Sequence, residues 1–310
     1  MNTIVYYLNI ALILSSCLVA GARAQEPSAR DWASLVGQRF RAERDVVYKT
    51  VDGVALKLDL YVPYDKTPGP TVFYIYGGGW QTGSKEQYVL WYLPYLQLGM
   101  RVVAVQYRLS GAAPAPAAIE DCRCAFRWVA AHGAKYGIDV DRIVVTGGSA
   151  GGHLSLMTVM GDASFDRDCQ EDATPRARAV INYYGATDIE ARLSEERPHI
   201  NKWLRGAADR QALARRVSPI NYVRAGLPPV LTLHGDADQA VPYEQSVRLH
   251  RALTDKGVPN ELVTIRGGRH GRHTWTDADT IRVQRAIEAF LKRHKILTPA
   301  APPSGGKVQR

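Results

Sequence analysis

The stretch Gly147-Gly148-Ser149-Ala150-Gly151-Gly152-His153-Leu154 constrains this chain more than any other. It follows a short β-branched run at residues 143–146 and opens a segment with helical spacing at 150–160. A serine set among glycines between a strand and a helix is the context of a nucleophile elbow, G-x-S-x-G. The reason is steric. A sharp turn holds the serine in a strained backbone conformation, and neighbours without side chains let other backbone and a substrate approach its hydroxyl. The helix that begins there points amide hydrogens at the same place, which favours developing negative charge. Glycine and serine are common in loops, so the reading stands or falls on what the other strand ends carry.

Similar short β-branched and aromatic runs occur at residues 54–62, 71–76, 102–107, 180–184, 230–233 and 262–265. Several are apolar throughout, as strands buried on both faces require. Between them lie helical spacings at 86–98, 117–136, 150–160, 243–256 and 277–294. The alternation predicts a mostly parallel sheet covered by helices on both faces. Residues 46–49 and 54–62, joined by Asp52-Gly53, read instead as an antiparallel hairpin at the sheet edge. Residues 189–220 are charged and carry no convincing strand; they read as an insertion above the carboxyl ends of the strands, either a small lid or a surface helix pair.

Three more strand ends carry chemistry. After 71–76 comes Gly77-Gly78-Gly79-Trp80, whose successive backbone amides can face inward as an oxyanion hole. A phosphate cradle would require a following Gly-Lys-Ser/Thr, which is missing. After 230–233 a loop carries two acids, Asp236 and Asp238, either of which can orient an imidazole. After 262–265 come His270 and His273; Gly267, Gly268 and Gly271 give His270 the freedom to turn inward, whereas His273 sits in an ordinary capping environment near Asp277. Serine, acid and histidine thus follow one another in that order at strand ends. His153 and His234 read as packing and bracing residues, and His132, His250 and His294 as near-surface helix residues. His270 and His273 have no third ligand at metal spacing, so neither a metal nor any cofactor is expected.

In this order, the segments YGGGW, VQYRLS, GGSAGGHL, YGATD, HGDADQAVP and GGRHG resemble the esterase branch of the α/β-hydrolase fold related to hormone-sensitive lipase. Within it they are most similar to small bacterial carboxylesterases that include feruloyl and acetylxylan esterase-like enzymes. The resemblance covers about residues 46–294. It implies Ser149, Asp238 and His270 as the triad and Gly78, Gly79 and Ala150 as oxyanion amides. It also implies that Asp188 lies near the acid loop and that Arg108 and Asp121 do structural work near the site. The family usually begins its glycine loop with His, where this chain has Tyr76, so the bracing of that loop is expected to differ. The implied activity is hydrolysis of short-acyl or aryl carboxylic esters, small or saccharide-linked, through an acyl-enzyme. Two alternatives share the sequence: an amide-bond hydrolase of the peptidase or arylformamidase kind, and a binding protein on a hydrolase fold.

The ends and the charge complete the reading. Residues 4–20 are mostly apolar and are followed by Ala22-Arg23-Ala24, which fits a signal peptide over 1–24 and export to the periplasm or beyond. An uncleaved anchor, or a lipoprotein box ending at Cys17, are the alternatives. The whole chain is 46% hydrophobic, which suits one large domain over 25–297, and 298–310 reads as a disordered tail. Three cysteines remain after residue 24; Cys122 and Cys124, two apart on a helix, point apart, so export predicts a disulfide from Cys169 to one of them. The net charge of +9 is scattered, which excludes nucleic acid as a partner and leaves only weak contact with anionic surfaces.

Overall fold

The computed structural model describes residues 37–65, 67–195 and 197–297. The segments read as signal peptide (1–24) and tail (298–310), with the box at Cys17, lie outside the described residues.

Eight strands form one sheet in the order β1-β2-β4-β3-β5-β6-β7-β8. They are β1 (Phe40–Val51), β2 (Val54–Pro63), β3 (Gly69–Ile75), β4 (Arg101–Val105), β5 (Ile138–Gly148), β6 (Ala177–Tyr183), β7 (Val230–Gly235) and β8 (Asn260–Ile265). β1 pairs antiparallel with β2, and β2 antiparallel with β4; every pairing from β4 to β8 is parallel. All five residues of β4 are buried, as are the last five of β3 and of β6. Strands with no exposed alternate residue are covered on both faces, which explains the continuous apolar runs.

The main helices are α1 (Val89–Gln97), α2 (Ala117–His132), α3 (Ala150–Met160), α6 (Glu244–Asp255) and α7 (Asp277–Arg293). Ten of the eleven residues of α3 are buried, because this helix leaves the sheet centre directly under the site. β1 is longer than the apolar run at 46–49 suggests. Two register shifts, between Glu43 and Val46 and between Val47 and Lys49, break its alternation and hide the strand from a period-two reading.

The insertion at 189–220 holds two short helices, α4 (Pro198–Trp203) and α5 (Arg210–Arg216), between 3₁₀ turns. Trp203 is fully buried and stacks on Trp80 with ring centroids 4.3 Å apart and planes 4° from parallel. Cys124 and Cys169 form a disulfide and Cys122 is a buried thiol, so the pairing is one of the two expected. Among the described residues no helix is long and apolar enough to cross a membrane.

Candidate active site

The elbow forms where β5 passes into α3. Ser149 has φ 57° and ψ −121°, a conformation that costs a residue with a Cβ of order 1–3 kcal/mol and persists only when its surroundings fix it. They do so by close packing. A Cβ on Gly147 would stand 2.2 Å from the Ile75 carbonyl oxygen, and one on Gly151 2.1 Å from the same atom. Only glycines on both sides of the serine let the turn lie against the end of β3. The Ser149 amide donates to the Tyr183 carbonyl at 2.9 Å, tying the elbow to β6 as well.

Three residues from three strand ends then form one hydrogen-bonded chain. Ser149 Oγ lies 2.9 Å from His270 Nε2, and His270 Nδ1 lies 2.7 Å from Asp238 Oδ2. A proton on Nδ1 facing the carboxylate leaves Nε2 free to accept from the serine hydroxyl. The acid is held on all sides. Its Oδ1 accepts the amides of Ala240 at 2.8 Å and Val241 at 2.9 Å. Its Oδ2 also faces His234 Nε2 at 3.2 Å. That nitrogen lies 3.0 Å from the Val241 carbonyl too, so it carries the proton, and His234 Nδ1 accepts from the Ser246 hydroxyl at 2.7 Å. Burial of Asp238 opposes its charge, but the bonds from His234 and His270 outweigh burial and hold its carboxyl well below the usual range.

The second acid on this loop does a different task. Asp236 Oδ1 accepts the Gly267 amide at 2.6 Å, fastening the histidine loop to the end of β7. His273 is exposed and lines the cleft, while the hydrogen bond to Ser149 Oγ is made by His270. His153 is buried inside α3: Trp80 Nε1 donates to its Nδ1 at 3.3 Å, and its Nε2 donates to the Val217 carbonyl at 2.7 Å. Burial, only partly offset by the bond to Val217, pulls its pKa down to about 4, so the ring is neutral. It packs edge-on against Trp80 and Trp203, locking the glycine loop, the elbow helix and the insertion together.

Gly78 has φ +113° and Gly79 φ +60°, both in the region that favours glycine. Their amides donate to no acceptor among the described residues, and both residues line the cleft beside Ser149. Ala150 begins α3, so its amide is one of the unpaired donors of a helix start. Tyr76 is braced in its own way. Its ring stacks on Tyr107 at 4.4 Å, and the Tyr107 hydroxyl donates to the Tyr76 carbonyl at 3.0 Å. Asp121 is fully buried and takes Arg108 through its backbone amide, Nε and Nη2 at 2.8–3.0 Å, fixing the chain just after β4. Asp188 caps the Ala191 amide at 2.9 Å and pairs with Arg248 of α6 at 3.0 Å; it secures the start of the insertion and does not touch Asp238.

The cleft above Ser149 encloses about 470 Å³. Tyr74, Tyr88, Trp91 and Tyr184 make an aromatic wall, with Ala240, Val241 and His199 among its other linings. Tyr184 meets His270 edge-on at 4.9 Å. The sequence reading missed this wall, because Tyr88 and Trp91 stand three apart where the aromatic α1 begins and look like core.

The chain matches the BD-FAE family over residues 58–253. It is 34% identical over 186 residues to LipM of Mycobacterium tuberculosis, described as a probable carboxylic ester hydrolase; the match covers 57% of this chain and 43% of LipM, so the chain spans under half of that relative. It is 31% identical to the ethyl acetate hydrolase of Pseudomonas putida, over 83% of this chain and 79% of that one. Among solved structures, esterase 2 of Thermogutta terrifontis with propionate bound superposes with a TM-score of 0.71 at 32% identity, covering 84% of this chain and 97% of that one. The same esterase has also been solved with butyrate bound and phosphorylated by paraoxon.

Proposed function

The chain belongs to the BD-FAE family, within the α/β-hydrolase fold, and on that premise we propose that it is a serine carboxylesterase in which Ser149 is the nucleophile, His270 the base and Asp238 the acid behind it. The observation that carries this reading is the continuous chain from Ser149 Oγ through His270 to the buried Asp238 carboxylate, opening on a cleft of substrate size.

The chemistry follows from the geometry. His270 Nε2 takes the hydroxyl proton as Ser149 Oγ attacks the ester carbonyl, and Asp238 holds the imidazole orientation and balances its charge. The carbonyl oxygen becomes an oxyanion met by the amides of Gly78, Gly79 and Ala150, each such donor contributing about 2.7–4 kcal/mol to the transition state. His270 then protonates the departing alcohol oxygen. Water, activated by the same nitrogen, releases the acid from the acyl-enzyme.

The substrates are small-molecule esters of short-acyl or aryl acids. The cleft volume and the aromatic wall support this, as do relatives described as hydrolysing ethyl acetate or binding propionate and butyrate. Saccharide-linked alcohols are admitted by the polar residues Gln81, Thr82 and His273 that also line the cleft. Export to an oxidising compartment is supported by Ala22-Arg23-Ala24 and by the Cys124–Cys169 disulfide, and weak contact with anionic surfaces by the charge of +9. The test is a rate comparison on p-nitrophenyl esters of increasing acyl length and on matching anilides. Ester turnover highest at short acyl lengths, with anilides far slower, is expected; anilide turnover equal to or above ester turnover overturns the reading in favour of an amidase.

A further inference from the structure

Among the charged residues of the insertion, Arg192 stands apart: it is 1% exposed. A guanidinium taken so far out of water must have its donors met by well-placed acceptors. Its Nη2 donates to the Ala240 carbonyl at 2.6 Å and to Glu195 Oε2 at 3.0 Å. Arg197 repeats the pattern one residue earlier on the same loop. Its Nη2 donates to the Gln239 carbonyl at 3.0 Å, and its Nε to the same Glu195 oxygen at 2.9 Å. Burial of Glu195 opposes its ionisation, but the two guanidinium groups prevail and hold its pKa below the ordinary value.

The loop they grip is the one that presents the acid. While the carbonyls of Gln239 and Ala240 face the arginines, the amides of Ala240 and Val241 face inward and clasp Asp238 Oδ1. Residue 240 is therefore held from both sides, by Arg192 at its carbonyl and by Asp238 at its amide. We infer that Arg192, with Glu195 and Arg197, is a positioning residue that sets the Asp238 carboxylate against His270. The insertion acts through this contact as a fixed brace on the acid loop. Neither a lid nor a surface helix pair needs a buried arginine aimed at that loop.

The inference rests on the proposed triad, so its test must fail separately from that reading. Arg192→Gln combined with Glu195→Gln removes the pair as a nearly neutral unit, leaving the net field at His270 close to unchanged. Two readouts are taken: kcat on a short-acyl p-nitrophenyl ester, and the downfield NMR resonance of the His270 Nδ1 proton, which reports its bond to Asp238. We expect kcat to fall about tenfold and the resonance to move upfield. Arg192→Lys keeps the buried charge but loses the planar guanidinium whose Nη2 bridges the Ala240 carbonyl and Glu195, so it falls between the wild type and the double variant; should the double variant not fold, it decides alone. A folded variant of either kind with wild-type kcat and an unmoved resonance overturns the proposal. A wild-type protein without esterase turnover, whose resonance still moves on substitution, sinks the esterase reading and leaves the brace standing.

Discussion

Replacing Asp238 by Asn changes one atom and, by the geometry of the site, nearly all of the chemistry. The carboxylate accepts four hydrogen bonds: two backbone amides on Oδ1, and His270 and His234 on Oδ2. The amides of Ala240 and Val241 cannot change character, so the asparagine oxygen stays with them and its NH₂ takes the place of Oδ2. That group then faces two ring N–H donors. His270 can relieve the clash only by moving its proton to Nε2, and Ser149 Oγ is left facing a donor where it needs a base. The equivalent change in the worked serine-protease triad costs about 10⁴ in kcat, or about 5.5 kcal/mol. His234 Nε2 keeps the Val241 carbonyl at 3.0 Å as its acceptor, so the loss falls on turnover and not on stability. Asp236→Asn is the matched control, since an amide oxygen still accepts the Gly267 amide and the pair with the largely exposed Arg266 contributes little. Initial rates on a p-nitrophenyl ester, with thermal melts of each variant, give the answer. Asp238→Asn retaining more than about 1% of kcat, or Asp236→Asn losing as much, refutes the reasoning.

Three further outcomes follow from the structure. His153 is buried with its pKa near 4, below the about 6.5 of an unfolded histidine, so the unfolded chain binds more protons between those values; its stabilisation is complete above about pH 6.5 and declines by about 3 kcal/mol as pH falls to about 4. Melts from pH 7 to 4.5 should therefore drop more steeply for the wild type than for His153→Gln, and parallel curves contradict this. The Cys124–Cys169 bond closes a separation of 45 residues, worth about 4 kcal/mol in the chain-entropy account, so Cys124→Ala with Cys169→Ala should lower Tm by roughly ten degrees; a melt unchanged by the substitutions or by reductant would exclude the bond. His273→Ala should keep turnover within about threefold of wild type while His270→Ala removes nearly all of it, and the reverse ranking would exchange their roles.

How much of this was legible in the sequence depended on whether a feature is local. The buried parallel strands announce themselves because a strand covered on both faces needs no polar alternation, as in Arg101–Val105. β1 is obscured for the opposite reason: its bulges and exposed charges spoil any period. The serine, acid and histidine loops were visible as glycine-rich strand ends, and the structure brings Ser149 and Asp238 each within hydrogen-bond reach of His270. Composition alone could not separate Asp236 from Asp238, two residues apart on one turn; what separates them is that one points between two histidines and the other caps Gly267. The stack of Trp80 on Trp203 and the grip of Arg192 on Ala240 join segments 123 and 48 residues apart, and no local pattern encodes them.

The central claim, that Ser149 is the reacting nucleophile, is tested most directly by covalent labelling with paraoxon, which phosphorylates a related esterase. Attack by Ser149 Oγ on phosphorus displaces 4-nitrophenolate and leaves a diethylphosphoryl group on the serine. Peptide mass mapping of the treated protein should place one such group on the peptide containing Ser149, in step with loss of esterase activity, and none on the Ser149→Ala variant. Full inactivation with Ser149 unmodified, or equal labelling of the variant, would contradict the account.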